Sequence, residues 1–267
     1  MPVLVGRETE QARLAAVLAD LRAGRPALLA LAGPAGIGKS ALLADVTDIA
    51  DYGGRVVRWR GVPAQTQLPF AALSGLLGAL PRDDAGRNGD GDGDGDGSGD
   101  ARETLDRAFG RGEPHPIGRL QVGAAAMTVI ARAAEREPVL LMVDDLHWVD
   151  AESIEALLFA LQRLPADPVG LIIATRDVAQ AESLGIETLT LDGLARAAVR
   201  DLIGRDVAET VCAAIGAATA GNPLASKEIV ATLTATQRSG QSSLPDPFPE
   251  TSVERVYMQR ITATPEA

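Results

Sequence analysis

An apolar run, Ala27-Leu28-Leu29-Ala30-Leu31-Ala32, passes directly into Gly33-Pro34-Ala35-Gly36-Ile37-Gly38-Lys39-Ser40, and a helical pattern follows from Lys39 to about Ala50. The eight residues match G-x-x-x-x-G-K-[ST] at every fixed position, in the context that spacing needs: the turn between a buried strand and the helix it opens. Glycines there let successive backbone N–H groups turn inward around phosphate oxygens, and the following helix presents its N-terminal dipole to them. Lys39 is then placed to bridge the outer phosphates, and Ser40 to hold Mg2+ through its hydroxyl. Gly33, Pro34, Ala35, Gly36, Ile37, Gly38, Lys39 and Ser40 are therefore the expected nucleotide-binding loop. Only two lysines, Lys39 and Lys227, occur among the 25 basic residues. That one of them falls in this loop fits a site that takes a compact ammonium in place of a planar guanidinium.

The rest of the chain extends the same pattern. A helix is expected from Glu8 to Leu21, where Leu14, Val17, Leu18 and Leu21 recur at three and four residues, ended by Gly24-Arg25-Pro26. Further short runs, Arg55 to Trp59, Val139 to Val143, Val169 to Ala174 and Glu187 to Leu191, read as strands separated by helical segments. Strands without polar alternation are buried on both faces, which predicts an α/β fold with a mostly parallel sheet covered by helices. After Leu191 the pattern is wholly helical: Leu194 to Ile203, Val207 to Ala218 and Pro223 to about Leu233. The expected division is a nucleotide-binding α/β domain over 1–192, a small helical domain over 193–238, and a Ser/Pro-rich linker with a short helical pattern, Val253 to Ile261, over 239–267. Between Arg82 and Ala101 only Ala85 is apolar, so this Gly-Asp-rich insert is expected to be disordered. Asp92, Asp94, Asp96, Gly97 and Glu103 fall on a calcium-loop spacing, with Ser98 and Asp100 at the remaining side-chain positions. Gly99 at the eighth position, the lack of an entering helix, and the chance register of any Gly-Asp repeat argue against it.

Composition narrows the function. A net charge of -11 argues against a broad surface for nucleic acid, which needs clustered Lys and Arg. The single cysteine, Cys212, reads as a small buried residue, and His115 and His147 are too isolated to build a metal site. No apolar run approaches the roughly 20 residues that cross a bilayer, and the start Met1 to Glu8 lacks a signal-like apolar segment, so no membrane role and a cytoplasmic location are expected.

Two further strand ends carry chemistry. Val139-Leu140-Leu141-Met142-Val143 ends in Asp144-Asp145: Asp144 is the expected second metal ligand with Ser40, and Asp145 is placed to polarise an attacking water. Leu171-Ile172-Ile173-Ala174 ends in Thr175-Arg176, a pair that could report the γ-phosphate, with a surface ion pair as the alternative for Arg176. The catalytic candidates are thus Lys39, Asp145, Thr175 and Arg176.

Leu4-Val5-Gly6-Arg7-Glu8, Gly33 to Ser40, Asp144-Asp145-Leu146-His147-Trp148-Val149-Asp150, Thr175-Arg176 and Gly221-Asn222-Pro223-Leu224 together resemble the AAA-type and STAND signal-transduction ATPases. The likeness is strongest to the N-terminal ATPase region of large LuxR-family transcriptional regulators, and origin-recognition ATPases share the core motifs. The resemblance implies a P-loop NTPase sheet in the order 5-1-4-3-2 with a helical lid, ATP or ADP with Mg2+ as ligands, Val5, Gly6 and Arg7 along the adenine, Pro223 closing over it, and Arg176 sensing the γ-phosphate. Larger members continue into a winged helix, a helical-repeat sensor and a DNA-binding domain; Val253 to Ile261 resembles the helix leading into the first of these. The function this implies is a slow ATPase acting as a nucleotide-dependent switch. Its partners would be nucleotide, a protein partner or effector domain and, as an open alternative, further copies of the chain. The competing readings are a DNA-associated origin-recognition-like ATPase, a small-molecule kinase, and a nucleotide-binding fragment without output.

Overall fold

Five strands, β1 (Ala27–Ala32), β2 (Arg55–Arg60), β3 (Val139–Asp144), β4 (Val169–Thr175) and β5 (Glu187–Thr190), form one parallel sheet in the computed structural model, which describes residues 4–48, 53–81, 98–111 and 117–253. Their order is β2-β3-β4-β1-β5, the expected 5-1-4-3-2 seen from the other edge. The register sets β1 Ala32 beside Thr175, and Arg60 of β2 beside Asp144. Asp144, Thr175 and Arg60 thus leave the sheet at the same, C-terminal, end, where open parallel sheets bind ligands.

Alternate residues of the central strands enter two separate cores. Leu141, Val143, Leu171 and Ile173 pack on α3 (Ala71–Gly78), α4 (Ser98–Ala108), α5 (Arg119–Ala134) and α6 (Ala151–Leu161). Leu29, Leu31, Leu140, Met142 and Ile172 pack on α1 (Glu8–Arg22) and α2 (Lys39–Asp48). This period of two is why β1, β3 and β4 are apolar throughout. The edge strands differ: β2 and β5 are only partly buried, because each has a neighbour on one side alone.

The insert departs from expectation at its end. Ser98 begins α4, so 98–101 are helical: Ala101 and Leu105, four apart, are buried in the first core. The other insert residues, 82–97, and with them Asp92, Asp94, Asp96 and Gly97 of the calcium spacing, lie outside the described residues. Glu103 is described, and it pairs with Arg107 one turn on. Most of the helical pattern from Val253 to Ile261 also falls outside, as does His115.

After β5 come α7's successors in the chain. α7 (Val178–Ser183) precedes β5; α8 (Arg196–Ile203), α9 (Glu209–Ala218), α10 (Pro223–Thr232) and α11 (Ala235–Arg238) follow it. They pack around a third core that includes Val199, Ile215, Ile229 and the buried Cys212. Val5 joins that core from the other end of the chain. No described helix is long and apolar enough to cross a membrane.

Candidate functional site

The loop between β1 and α2 shows two unlike sides. All five carbonyls from Gly33 to Ile37 accept hydrogen bonds from the protein. Lys39 Nζ donates to Gly33 O (2.6 Å) and Pro34 O (2.8 Å), Asn222 Nδ2 to Ala35 O (2.8 Å), Leu224 N to Gly36 O (3.3 Å), and Arg7 Nη2 to Ile37 O (2.9 Å). The backbone N–H groups from Ala35 to Ser40, by contrast, find no protein acceptor among the described residues. A run of amide donors left open where a helix begins is what a phosphate group needs, since it satisfies them and meets the positive end of the helix dipole. Gly36 and Gly38 supply the left-handed turns, at φ 74° and 110°, that a side chain would strain.

Lys39 sits folded back on its own loop and is buried. That burial, with the Arg176 guanidinium nearby, pushes its ammonium down to about 8, against the pull of Asp144 and Asp145. Ser40 Oγ donates to Asp144 Oδ2 at 2.8 Å, so the two expected metal ligands are already in contact. The other oxygen of Asp144 accepts from Asp145 N at 2.9 Å.

Asp145 adopts a left-handed backbone (φ 53°), which Asp tolerates better than most residues. Its carboxylate accepts from Arg60 Nε at 3.0 Å and lies 3.8 Å from Arg176 Nη2. Three of the four catalytic candidates, Lys39, Asp145 and Arg176, therefore form one cluster with Ser40 and Asp144. Thr175 is adjacent but turned inward: it is fully buried, its hydroxyl donates to Gln180 Oε1 (2.9 Å) and accepts from Asp177 N (3.2 Å). In this arrangement the hydroxyl of Thr175 supports the start of α7, and only its carbonyl reaches the loop, accepting from Gly33 N.

The residues expected along the adenine, Val5, Gly6 and Arg7, lie against the helices after β5. A Cβ on Gly6 would lie 2.4 Å from that of Ala198 in α8. Arg7, 5% exposed, spends its guanidinium on Glu10, Ile37 O and Asp192 O. Pro223 begins α10 directly after Asn222, whose side chain caps Leu224 N and Ala225 N while reaching Ala35. A cavity of about 650 Å3 lies beside this contact, walled by Pro34 and Ile37 of the loop, Asn222, Ile229 and Phe248.

The family model of the AAA ATPase domain matches residues 3–173, well over half of the chain. The chain belongs to the AAA ATPase domain family. No curated protein matches it in sequence. Among solved structures it is similar to Cdc6p from Pyrobaculum aerophilum (14% identity, TM-score 0.52, 90% of this chain and 64% of that one). It is likewise similar to a signal transduction ATPase with numerous domains from Pyrococcus horikoshii (18%, 0.50, 100% and 33%) and to Drosophila ORC bound to DNA (11%, 0.53, 98% and 62%). At these identities the likeness is one of fold, and the chain spans from a third to just under two thirds of those proteins. An AAA ATPase fold is a nucleotide-binding one, usually with Mg2+, and the open amides and the Ser40–Asp144 contact fit both groups.

Arg60 escaped sequence reasoning, and Asn222 and Asp150 were seen only as members of motifs, without their contacts. Arg60 holds Asp145 across the sheet, which only the β2–β3 register reveals. Asn222 was visible as part of a motif, but its bond to the loop was not. Asp150 is 2% exposed and caps two helices at once, taking Phe70 N and Ala72 N at α3 and Ser153 N at α6. A buried acid two residues after Trp148 and directly before a helix is the signal that marks it.

Proposed function

We propose that the chain is an ATP-binding module that hydrolyses slowly and works as a nucleotide-dependent switch in signal transduction. The observation that carries this is the contrast within the loop: amides from Ala35 to Ser40 open, carbonyls from Gly33 to Ile37 all held. Those amides would take the phosphates, and Lys39 would leave Gly33 O and Pro34 O to reach the outer ones. Mg2+, held by Ser40 and Asp144, would supply positive charge against the phosphate oxygens. Asp145 would accept a proton from the attacking water, once its carboxylate is released from Arg60, while Arg176 would sense the γ-phosphate.

The switch reading rests on the tie between loop and helices. Asn222 Nδ2 and Leu224 N, at the start of α10, hold the carbonyls of the two loop residues whose amides face the site. A ligand that reshapes Ala35 and Gly36 therefore bears on α10, and a two-state hinge between residues 1–192 and the helical unit 193–238 would respond to it. Segment 239–267 would carry that response to an effector domain or protein partner, as in the LuxR-family regulators the motifs resemble.

A titration of Mg-ATP and Mg-ADP with turnover tests this. Wild type should bind, Lys39→Ala should bind roughly 100-fold more weakly, and Asp145→Asn should bind without hydrolysis; binding by Lys39→Ala as tight as wild type would refute the site. One second reading has support, since two fold neighbours are Cdc6p and a DNA-bound ORC. A DNA-associated ATPase would show salt-dependent duplex binding, which the charge of -11 weighs against.

A further inference from the structure

A cleft of about 280 Å3 opens where α2 packs beside the edge strand β2. Ser40 and Leu43 form one wall, Arg58 and Arg60 the other, with Met142 and Asp144 of β3 between them. Residues two apart on a strand share a face, so Arg58 and Arg60 stand on the side of Val56, which packs into the α1–α2 core. Their backbones are about 7 Å apart along the strand. Both side chains are exposed, and β2 is an edge strand among the described residues.

The charges here are unequal. Arg60 is engaged with Asp145, whereas Arg58 makes no hydrogen bond or ion pair among the described residues. Asp144 lines the same cleft without an ion pair to Arg58; its two oxygens accept from Ser40 Oγ and Asp145 N. In a chain of charge -11, an exposed guanidinium with no ion-pair partner among the described residues, at the mouth of a cleft, is open to an external anion. The volume is below that of a typical drug-sized site, and suits a tetrahedral anion with a short aliphatic body lying over Leu43 and Met142. Guanidinium forks match phosphate oxygens in a bidentate way that an ammonium does not.

We propose that this cleft is a second phosphate subsite, in which Arg58 and Arg60 hold a phosphate group beside Ser40 and Asp144. The cradle stands on the arginines alone; only the naming of Ser40 and Asp144 as metal ligands rests on the functional reading above. The phosphate has two chemical sources. It is either the inorganic phosphate that hydrolysis releases, leaving through the sheet edge, or the phosphate of a small phosphomonoester that binds independently. In both cases the anion competes with Asp145 for Arg60.

Calorimetric titration of inorganic phosphate into the full chain carrying Lys39→Ala tests this, since that substitution removes the lysine of the nucleotide loop from the readout. Binding should persist in Lys39→Ala and weaken about tenfold or more when Arg58→Gln is added, the loss expected for one charge-assisted contact. Circular dichroism should show both variants folded, as Arg58 is exposed and unbonded. Phosphate binding that vanishes with Lys39→Ala, or that Arg58→Gln leaves unchanged, overturns the proposal, as does no binding at all. Glycerol 3-phosphate separates the sources: binding of inorganic phosphate only assigns the cleft to released product, and equal or tighter binding of the monoester assigns it to a separate ligand. Mg-ADP titrated into the Arg58→Gln single variant should bind as to wild type. If neither protein binds Mg-ADP, the nucleotide reading falls while the phosphate result stands on its own.

Discussion

The phosphate loop and the segment Val5-Gly6-Arg7 carry the two ends of the expected nucleotide contact, yet they differ in what they leave available. The loop keeps six successive amides open. Arg7 has spent its donors on Glu10, Ile37 O and Asp192 O, and Gly6 is pressed against α8. The difference separates two jobs that a motif alone cannot separate. The loop amides are open, with Lys39 folded back on Gly33 O and Pro34 O beside them, whereas Arg7 ties α1 and the loop to Asp192, just ahead of the helices that follow β5. Substitutions should therefore split into those that change stability and those that change affinity.

The largest effect is expected at Arg7. Arg7→Ala leaves the half-buried Glu10 carboxylate and two carbonyls without their donor, and should lower stability by about 3 kcal/mol in urea unfolding. A loss below 1 kcal/mol, together with a matching loss of nucleotide affinity, would return Arg7 to the ligand side of the comparison. Lys39→Ala should do the reverse: roughly 100-fold weaker nucleotide binding, about 2.7 kcal/mol, with a small change in melting temperature. Fluorescent-nucleotide titration and calorimetry on the same samples would read both.

The ammonium of Lys39 gives the comparison a pH axis. Its value in the free protein is pushed from 10.5 to about 8, so the unfolded chain holds this proton more tightly than the folded one. Between those two values the unfolded state binds more protons, and stability from this group rises with pH. Nucleotide affinity should move the other way, falling by up to about tenfold per pH unit above 8, because the charged ammonium is the form that meets phosphate. A flat affinity profile between pH 7 and 9.5 would show that Lys39 does not have to be charged to bind. The smallest effect is expected at Asn222. Asn222→Ala removes the cap of α10 and the tie to Ala35, and should cost about 1 kcal/mol in thermal unfolding while leaving the loop's own lysine in place.

The loop and the sheet were legible in the sequence because their signals are local. β1, β3 and β4 are bounded within a residue by their apolar runs, since strands covered on both faces have no polar positions to blur them. The phosphate loop needs its residues consecutive, and Asp144 needs only a strand end. Arg60 was not legible: it lies 85 positions from Asp145 in sequence, and the pair forms only because β2 and β3 align Arg60 with Asp144. The start of α4 was hidden by the Gly-Asp composition around it, as the burial of Ala101 and Leu105 depends on α5 and the sheet beyond. The inward turn of Thr175 hinges on Gln180, one turn along α7, a contact that strand patterning does not reach.

Amide NMR spectra of the chain, recorded as Mg-ADP is added, test the central claim most directly. The account predicts large shifts at the amides of Ala35 to Ser40, while the amides of Val5 to Arg7 move little. Shifts at Val5 to Arg7 with Ala35 to Ser40 unmoved would contradict it.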